Sequence, residues 1–228
     1  MNEKKIIVAL DNNNLESTKS VVQKLKQEAF AFKIGYEFFL NFGLKGYEII
    51  QKENVKIFLD LKLHDIPNTV KNGIQALSKL KPYFTTIHLS GGDEMQRAAV
   101  SKKNNTKIIG VTILTSLDSN QTLKYNYNSN IKNIVKDFAH YAIKNKLDGI
   151  VCSPQEIKII KEISLDKLLI ITPGIRPSNF INKKEDQKRF MTPKEAIKSG
   201  ANYLVIGRPI TQSKDPLKEL ITINSSLV

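Results

Sequence analysis

The sequence holds a single cysteine, Cys152, which rules out an intrachain disulfide and fits a reducing, cytoplasmic setting. No run of about 18 apolar residues occurs, so no membrane-spanning helix is expected. Met1-Asn2-Glu3-Lys4-Lys5 leads straight into Ile6-Ile7-Val8-Ala9-Leu10, too short for a signal-peptide core and without a small-residue cleavage site. HxH, HExxH and carboxylate clusters are missing, so no tight metal site is expected. The formal net charge is +13, yet no arginine-rich block or interleaved aromatic stripe accompanies it. The excess is lysine spread over helix faces together with Glu and Asp, which reads as a solvated surface and argues against a nucleic-acid partner. Arginine is confined to Arg97, Arg176, Arg189 and Arg208. Its planar fork grips phosphate or carboxylate bidentately, as a lysine point charge does not, so each of the four is informative.

What the chain does contain is a regular alternation. Short apolar, β-branched runs stand at Ile6–Leu10, Ala31–Ile34, Lys56–Leu61, Tyr83–His88, Lys107–Thr112, Asp148–Cys152, Leu168–Thr172 and Tyr203–Ile206. Helical periodicity fills the gaps at Leu15–Lys26, Phe38–Lys52, Asn68–Leu80, Glu94–Lys102, Ile131–Lys144, Gln155–Ile163, Pro193–Ser199 and Pro216–Ser225. Thr192-Pro193 and Asp215-Pro216 are start signals, an N-cap residue before a proline at the first helical position. Eight such units in 228 residues predict an α/β fold, one (β/α)8 TIM barrel spanning 1–228 as a single catalytic domain. An open doubly wound sheet is the alternative, but its glycine-rich first turn is replaced by Asp11-Asn12-Asn13-Asn14.

Barrels carry their chemistry at the C-terminal ends of the strands. Here those ends bear Asp11, Lys33, Asp60 with Lys62, His88, Thr115 with Ser116, Arg176 and Arg208, which points to a shared pocket. The densest cluster is D-L-K-L-H-D-I-P-N-T-V, Asp60 to Val70. Side chains alternate along a strand, so Asp60 and Lys62 face the barrel mouth while Leu59, Leu61 and Leu63 face the helices. A buried ion pair held for structure would look the same. A lysine between Asp60 and Asp65 has a further use, because neighbouring negative charge favours its ammonium form and makes it a proton donor. His64 and His88 read as structural or interface residues, His140 as an ordinary helix residue, and Cys152 as packing beside the barrel wall.

A second cluster suits phosphate. Thr172-Pro173-Gly174-Ile175-Arg176 follows the seventh strand and Val205-Ile206-Gly207-Arg208-Pro209 the eighth, where barrels commonly bind phosphate through backbone N–H groups. Gly207 lets the backbone approach, and Arg208 clamps the dianion. Ser178–Arg189, a polar stretch of about twelve residues with Gln187 near its end, has the length and place of a lid.

V-A-L-D at 8–11, F-K-I-G at 32–35, the run Phe58–Val70, L-T-S at 114–116, T-P-G-I-R at 172–176, D-Q-K-R at 186–189 and G-R-P-I at 207–210 together resemble the bacterial orotidine 5′-phosphate decarboxylases. Ser90 departs from the alanine usual in that family. The D-x-K-x-x-D core alone also resembles Mg²⁺-dependent sugar-phosphate decarboxylases and aldol-type lyases of the same suprafamily. The I-P-N-T segment, the D-Q pair and the two arginine motifs favour the first family. That resemblance implies conversion of orotidine 5′-monophosphate (OMP) to UMP without cofactor or metal, with Lys62 as the catalytic acid and Asp60, Asp65 and Lys33 completing the charged set. It implies that Asp11 and Lys33 hold the ribose, that Thr115 and Ser116 contact the pyrimidine, and that Gln187 bridges base and phosphate. Arg176, Gly207 and Arg208 then hold the phosphate. Asp65 and Thr69 resemble residues lent by a neighbouring subunit, which implies a homodimer with shared sites.

Overall fold

The computed structural model describes residues 4–124, 130–177 and 191–227. Eight parallel strands close a barrel in sequence order: β1 (Ile6–Ala9), β2 (Ala31–Ile34), β3 (Ile57–Leu63), β4 (Phe84–His88), β5 (Lys107–Val111), β6 (Gly149–Val151), β7 (Leu169–Thr172) and β8 (Tyr203–Ile206), with β8 paired back onto β1. The TIM barrel expected from the alternation is the observed fold. The helices are α1 (Leu15–Leu25), α2 (Tyr36–Gln51), α3 (Pro67–Ser78), α4 (Gly92–Val100), α5 (Ser119–Lys124), α6 (Ile131–Lys144), α7 (Ile157–Ser164), α8 (Pro193–Lys198), α9 (Arg208–Thr211) and α10 (Pro216–Ser225). The periodicity did not indicate α5 or α9. Both are too short and too polar, or too proline-bound, to show an apolar stripe.

Local chemistry explains where the helices start. Asn14, in the turn where a dinucleotide fold would need glycine, caps α1 by accepting from the Ser17 amide at 2.9 Å. Thr192 and Glu195 form a reciprocal capping box ahead of Pro193, and Asp215 caps α10 from the Lys218 amide. Both proline-led starts are therefore as the sequence indicated. Among the described residues no helix is long and apolar enough to cross a membrane.

Two apolar layers hold the barrel together. The larger lies between strands and helices and includes Ile6, Val8, Phe32, Ile34 and Leu59. The smaller fills the barrel interior with Ile7, Ala31, Phe58, Phe84, Ile109, Ile171, Tyr203 and Val205. Alternate residues of one strand divide between these layers, as the two-residue strand period requires. The lower interior is aromatic: Phe30 stacks on Tyr203 at 4.0 Å between ring centroids, and Phe58 meets Phe84 edge-on at 5.6 Å. One step further along the inward-facing rows, the apolar filling gives way to Lys33, Asp60 and Thr86.

Candidate active site

That change from apolar to charged marks a cavity of about 300 Å³ at the C-terminal ends of the strands. Phe58, Val111, Val151 and Val205 form its apolar lining, while Asp11, Lys33, Asp60 and Lys62 stand on one side of the chain's order and Thr115, Arg176, Gly207 and Arg208 on the other. Small apolar walls with a few convergent polar groups are the usual make-up of a ligand site.

The charged groups form one alternating series. Lys33 Nζ lies 3.5 Å from Asp11 Oδ1 and 3.7 Å from Asp60 Oδ2, and Lys62 Nζ lies 2.9 Å from the same Asp60 oxygen. Within one chain it is thus Lys33 that sits between two carboxylates, and Asp60 that sits between two ammonium groups. Burial pushes the Asp60 carboxyl up, but the Lys33 and Lys62 charges and hydrogen bonds from Lys62 and Thr86 outweigh it and hold the pKa below the ordinary aspartate value. Asp60 is therefore a fixed anion, and Lys33 and Lys62 both line the cavity beside it.

Gly35 explains how Lys33 reaches this position. A Cβ on Gly35 would stand 3.0 Å from Lys33 Nζ and 3.4 Å from Asp11 Oδ1, so a side chain there would crowd the ion pair. The glycine of the F-K-I-G motif, two residues after Lys33, is the sequence trace of this requirement.

Lys62 is held in an unusual backbone. Its φ is 46°, the left-handed region that L-residues disfavour. The cause is a break in register between β3 and β4: Leu59 faces Thr85 and Leu63 faces Ile87, so Asp60, Leu61 and Lys62 share the single residue Thr86. The Lys62 amide donates to Thr86 Oγ1 at 2.8 Å, and that hydroxyl donates to Asp60 Oδ1 at 2.9 Å. On the other flank the Tyr36 hydroxyl donates to the Leu61 carbonyl at 2.9 Å. Neither Thr86 nor Tyr36 was singled out from sequence, since F-T-T-I-H reads as an ordinary strand.

At the opposite rim Gly174 adopts φ 76°, which turns the chain so that buried Arg176 lines the cavity, its guanidinium donating to the Ile175 carbonyl at 3.0 Å. Gly207 opens α9 where a Cβ would come within 3.3 Å of Ala9 Cβ, and exposed Arg208 follows it. A one-turn helix has little dipole, so the anion-attracting feature here is Arg208 beside open backbone.

Other candidates fall elsewhere. Thr115 lines the cavity, whereas Ser116 is exposed outside it. Asp65 and Thr69 are exposed and take no part in this chain's cavity; Asp65 accepts from the Ile66 amide, and among the described residues it makes no ion pair. Ile66, next to Asp65 in the chain, is an exposed apolar side chain at 67%. Gln187 and the lid-like stretch 178–189 lie outside the described residues. His88 packs against His64 with ring centroids 5.3 Å apart, and burial, then the charges of His64 and Lys62, lower its pKa. Cys152 is buried in the wall, as expected, with its thiol pushed up by burial. Among the described residues no group of three or more His, Cys, Asp or Glu side chains is placed to hold a metal ion.

Comparison with known proteins places this geometry in context. A family model described as "Orotidine 5'-phosphate decarboxylase / HUMPS family" matches residues 4–223. An orotidine 5′-phosphate decarboxylase of Wigglesworthia glossinidia brevipalpis is 44% identical over 97% of each chain. One from Vibrio cholerae serotype O1 is 40% identical over 100% of each. The crystal structure of the orotidine 5′-phosphate decarboxylase of Lactobacillus acidophilus superposes with a TM-score of 0.86 at 36% identity, covering 99% of both chains.

Proposed function

The chain belongs to the orotidine 5′-phosphate decarboxylase / HUMPS family, and from that premise we propose that the alternating series Asp11–Lys33–Asp60–Lys62 carries the decarboxylation of OMP to UMP, with Lys62 as proton donor. The family description spans two branches, and relatives at 44% and 40% identity over nearly the whole chain bear the decarboxylase name. The enzyme is accordingly a carboxy-lyase of pyrimidine biosynthesis.

The observation that carries the mechanism is the Lys62 ammonium held at the cavity by a buried anion. Breaking the C6–carboxylate bond leaves the electron pair at C6, in the plane of the ring, where the π-system cannot delocalise it. Stabilisation must come from a fixed external charge. A cation about 4 Å from the developing carbanion supplies ~4 kcal/mol at an effective dielectric of about 20. That is a large single contribution, and preorganised contacts to the rest of the nucleotide supply more. Lys62 then gives its proton to C6, CO₂ departs, and the neutral amine regains a proton from solvent. Asp60 keeps Lys62 aimed; Asp11 and Lys33 take the ribose hydroxyls; Thr115, which lines the cavity, contacts the base, with Ser116 beside it outside the cavity; Gln187 bridges base and phosphate; Arg176, Gly207 and Arg208 hold the phosphate end. The reaction uses no cofactor and no metal.

We further propose a cytoplasmic homodimer, each barrel a single domain over 1–228. Its support is Asp65 and Thr69 standing exposed outside their own chain's cavity, with Ile66 exposed beside Asp65. Across the interface each subunit lends Asp65 and Thr69 to its neighbour.

The direct test is loss of orotidylate absorbance when pure protein is mixed with OMP in EDTA. Full activity is expected; activity that disappears with EDTA and returns with Mg²⁺ would instead indicate the metal-dependent branch. Arg208→Ala should lower kcat/KM for OMP by about 10²-fold or more, because a charged hydrogen-bonding group to the dianion is lost. Orotidine, which has no phosphate, should react equally slowly with both enzymes. Equal losses on both substrates would show that Arg208 only supports the fold.

A further inference from the structure

We infer that Thr86 is a positioning residue for the decarboxylation, its hydroxyl fixing Lys62 and Asp60 in the bulge that turns the ammonium toward the substrate. The inference rests on the reading of Lys62 as proton donor.

Asp60, Leu61 and Lys62 face one residue of β4, so the Lys62 amide lies outside the paired register of the two strands. Thr86 Oγ1 takes that amide at 2.8 Å and lies 2.9 Å from Asp60 Oδ1. The direction of both bonds is fixed by chemistry. An amide N–H only donates and an ionised carboxylate only accepts, so the single hydroxyl proton goes to Asp60 while a lone pair receives Lys62. One oxygen thereby sets the backbone of the acid and the rotamer of its anionic partner.

Thr86 is fully buried, so water has no access to replace the hydroxyl. Its β-branched side chain has few rotamers and stands on the interior face with Phe84. Tyr36 holds the opposite flank through the Leu61 carbonyl, so the left-handed turn is fastened on both sides. Strain of this sort persists where surrounding structure over-determines it. Loss of the Thr86 bond releases the acid from one side, and small displacements of a reacting group are costly in rate.

The test compares Thr86→Val, nearly isosteric but without hydroxyl, with Thr86→Ser, which keeps it. UMP titration counts folded sites in each preparation, and wild type and Lys62→Ala run in the same assay. Per UMP-binding site, Thr86→Val should lose about 10- to 100-fold in kcat with KM for OMP changed less than about threefold, since the nucleotide contacts remain. Thr86→Ser should stay within about threefold of wild type. The acid limb of the pH–kcat/KM profile should move up in Thr86→Val, because a hydrogen bond that favours ionised Asp60 is gone. If Thr86→Val does not fold, Thr86→Ala is held to the same expectation. A hydroxyl-less variant whose kcat per site is within twofold of wild type, or a serine variant as slow as it, overturns the inference. An active Lys62→Ala control instead overturns the reading of Lys62, and an inactive wild type the decarboxylase reading, each taking this inference with it.

Discussion

Lys62→Ala is expected to give a folded barrel whose kcat on OMP is below about a hundredth of wild type, since in the proposed mechanism one group is both the stabilising charge and the general acid. The fold should survive for a specific reason. Removing one partner of a buried ion pair is damaging when it orphans the other. Asp60 here keeps the Lys33 ammonium at 3.7 Å and the Thr86 hydroxyl at 2.9 Å. Alanine also tolerates φ 46° about as poorly as lysine does, so the bulge gains no new strain. Lys33 is not expected to substitute as the acid, because it is tethered to Asp11 at 3.5 Å and Asp60 at 3.7 Å. The measurement is absorbance loss of OMP beside a thermal melt. A variant with an unaltered melt and more than about a hundredth of the activity would exclude Lys62 as the proton donor.

Asp65→Ala should be nearly as inactive, and mixing it with Lys62→Ala should restore activity. Asp65 stands exposed at the start of α3, away from its own chain's cavity, so in the proposed dimer it completes the neighbour's site. In a mixed dimer the Asp65→Ala subunit keeps its own Lys62 and borrows Asp65 from its partner, which makes that site whole. The opposite site carries both lesions. Equal amounts reassort to half mixed dimers, each with one good site of two, so about a quarter of wild-type activity should return. Exchange confirmed by mass, with no recovery, would mean that Asp65 works within its own subunit or that the assembly is different.

Several features of this site were open to reading from residues alone. Strand alternation put Asp60 and Lys62 on the inner face, and position at the strand ends put Asp11, Lys33, Thr115, Arg176 and Arg208 around the same opening; the cavity gathers all of them. The caps at Thr192 and Asp215 were visible because their chemistry is local. What escaped depends on contacts across strands. The left-handed Lys62 arises from a register break with β4, and register is not written in the apolar pattern of either strand. Thr86 was hidden for that reason. The identity of the lysine between two carboxylates likewise required knowing that β1, β2 and β3 are neighbours, which brings Asp11 to Lys33. α9 was missed because a single turn has no period to detect.

The aromatic packing beneath the charged series has a consequence for traffic. Phe58 and Phe84 close the barrel below Asp60, and the Phe30–Tyr203 stack plugs it further down, so the cavity is blind. Among the described residues, the mouth of the cavity lies at the C-terminal ends of the strands. In the proposed reaction the nucleotide, the released CO₂ and UMP share that mouth. On that reading, arrival of substrate, escape of gas and exit of UMP are successive events at a common threshold.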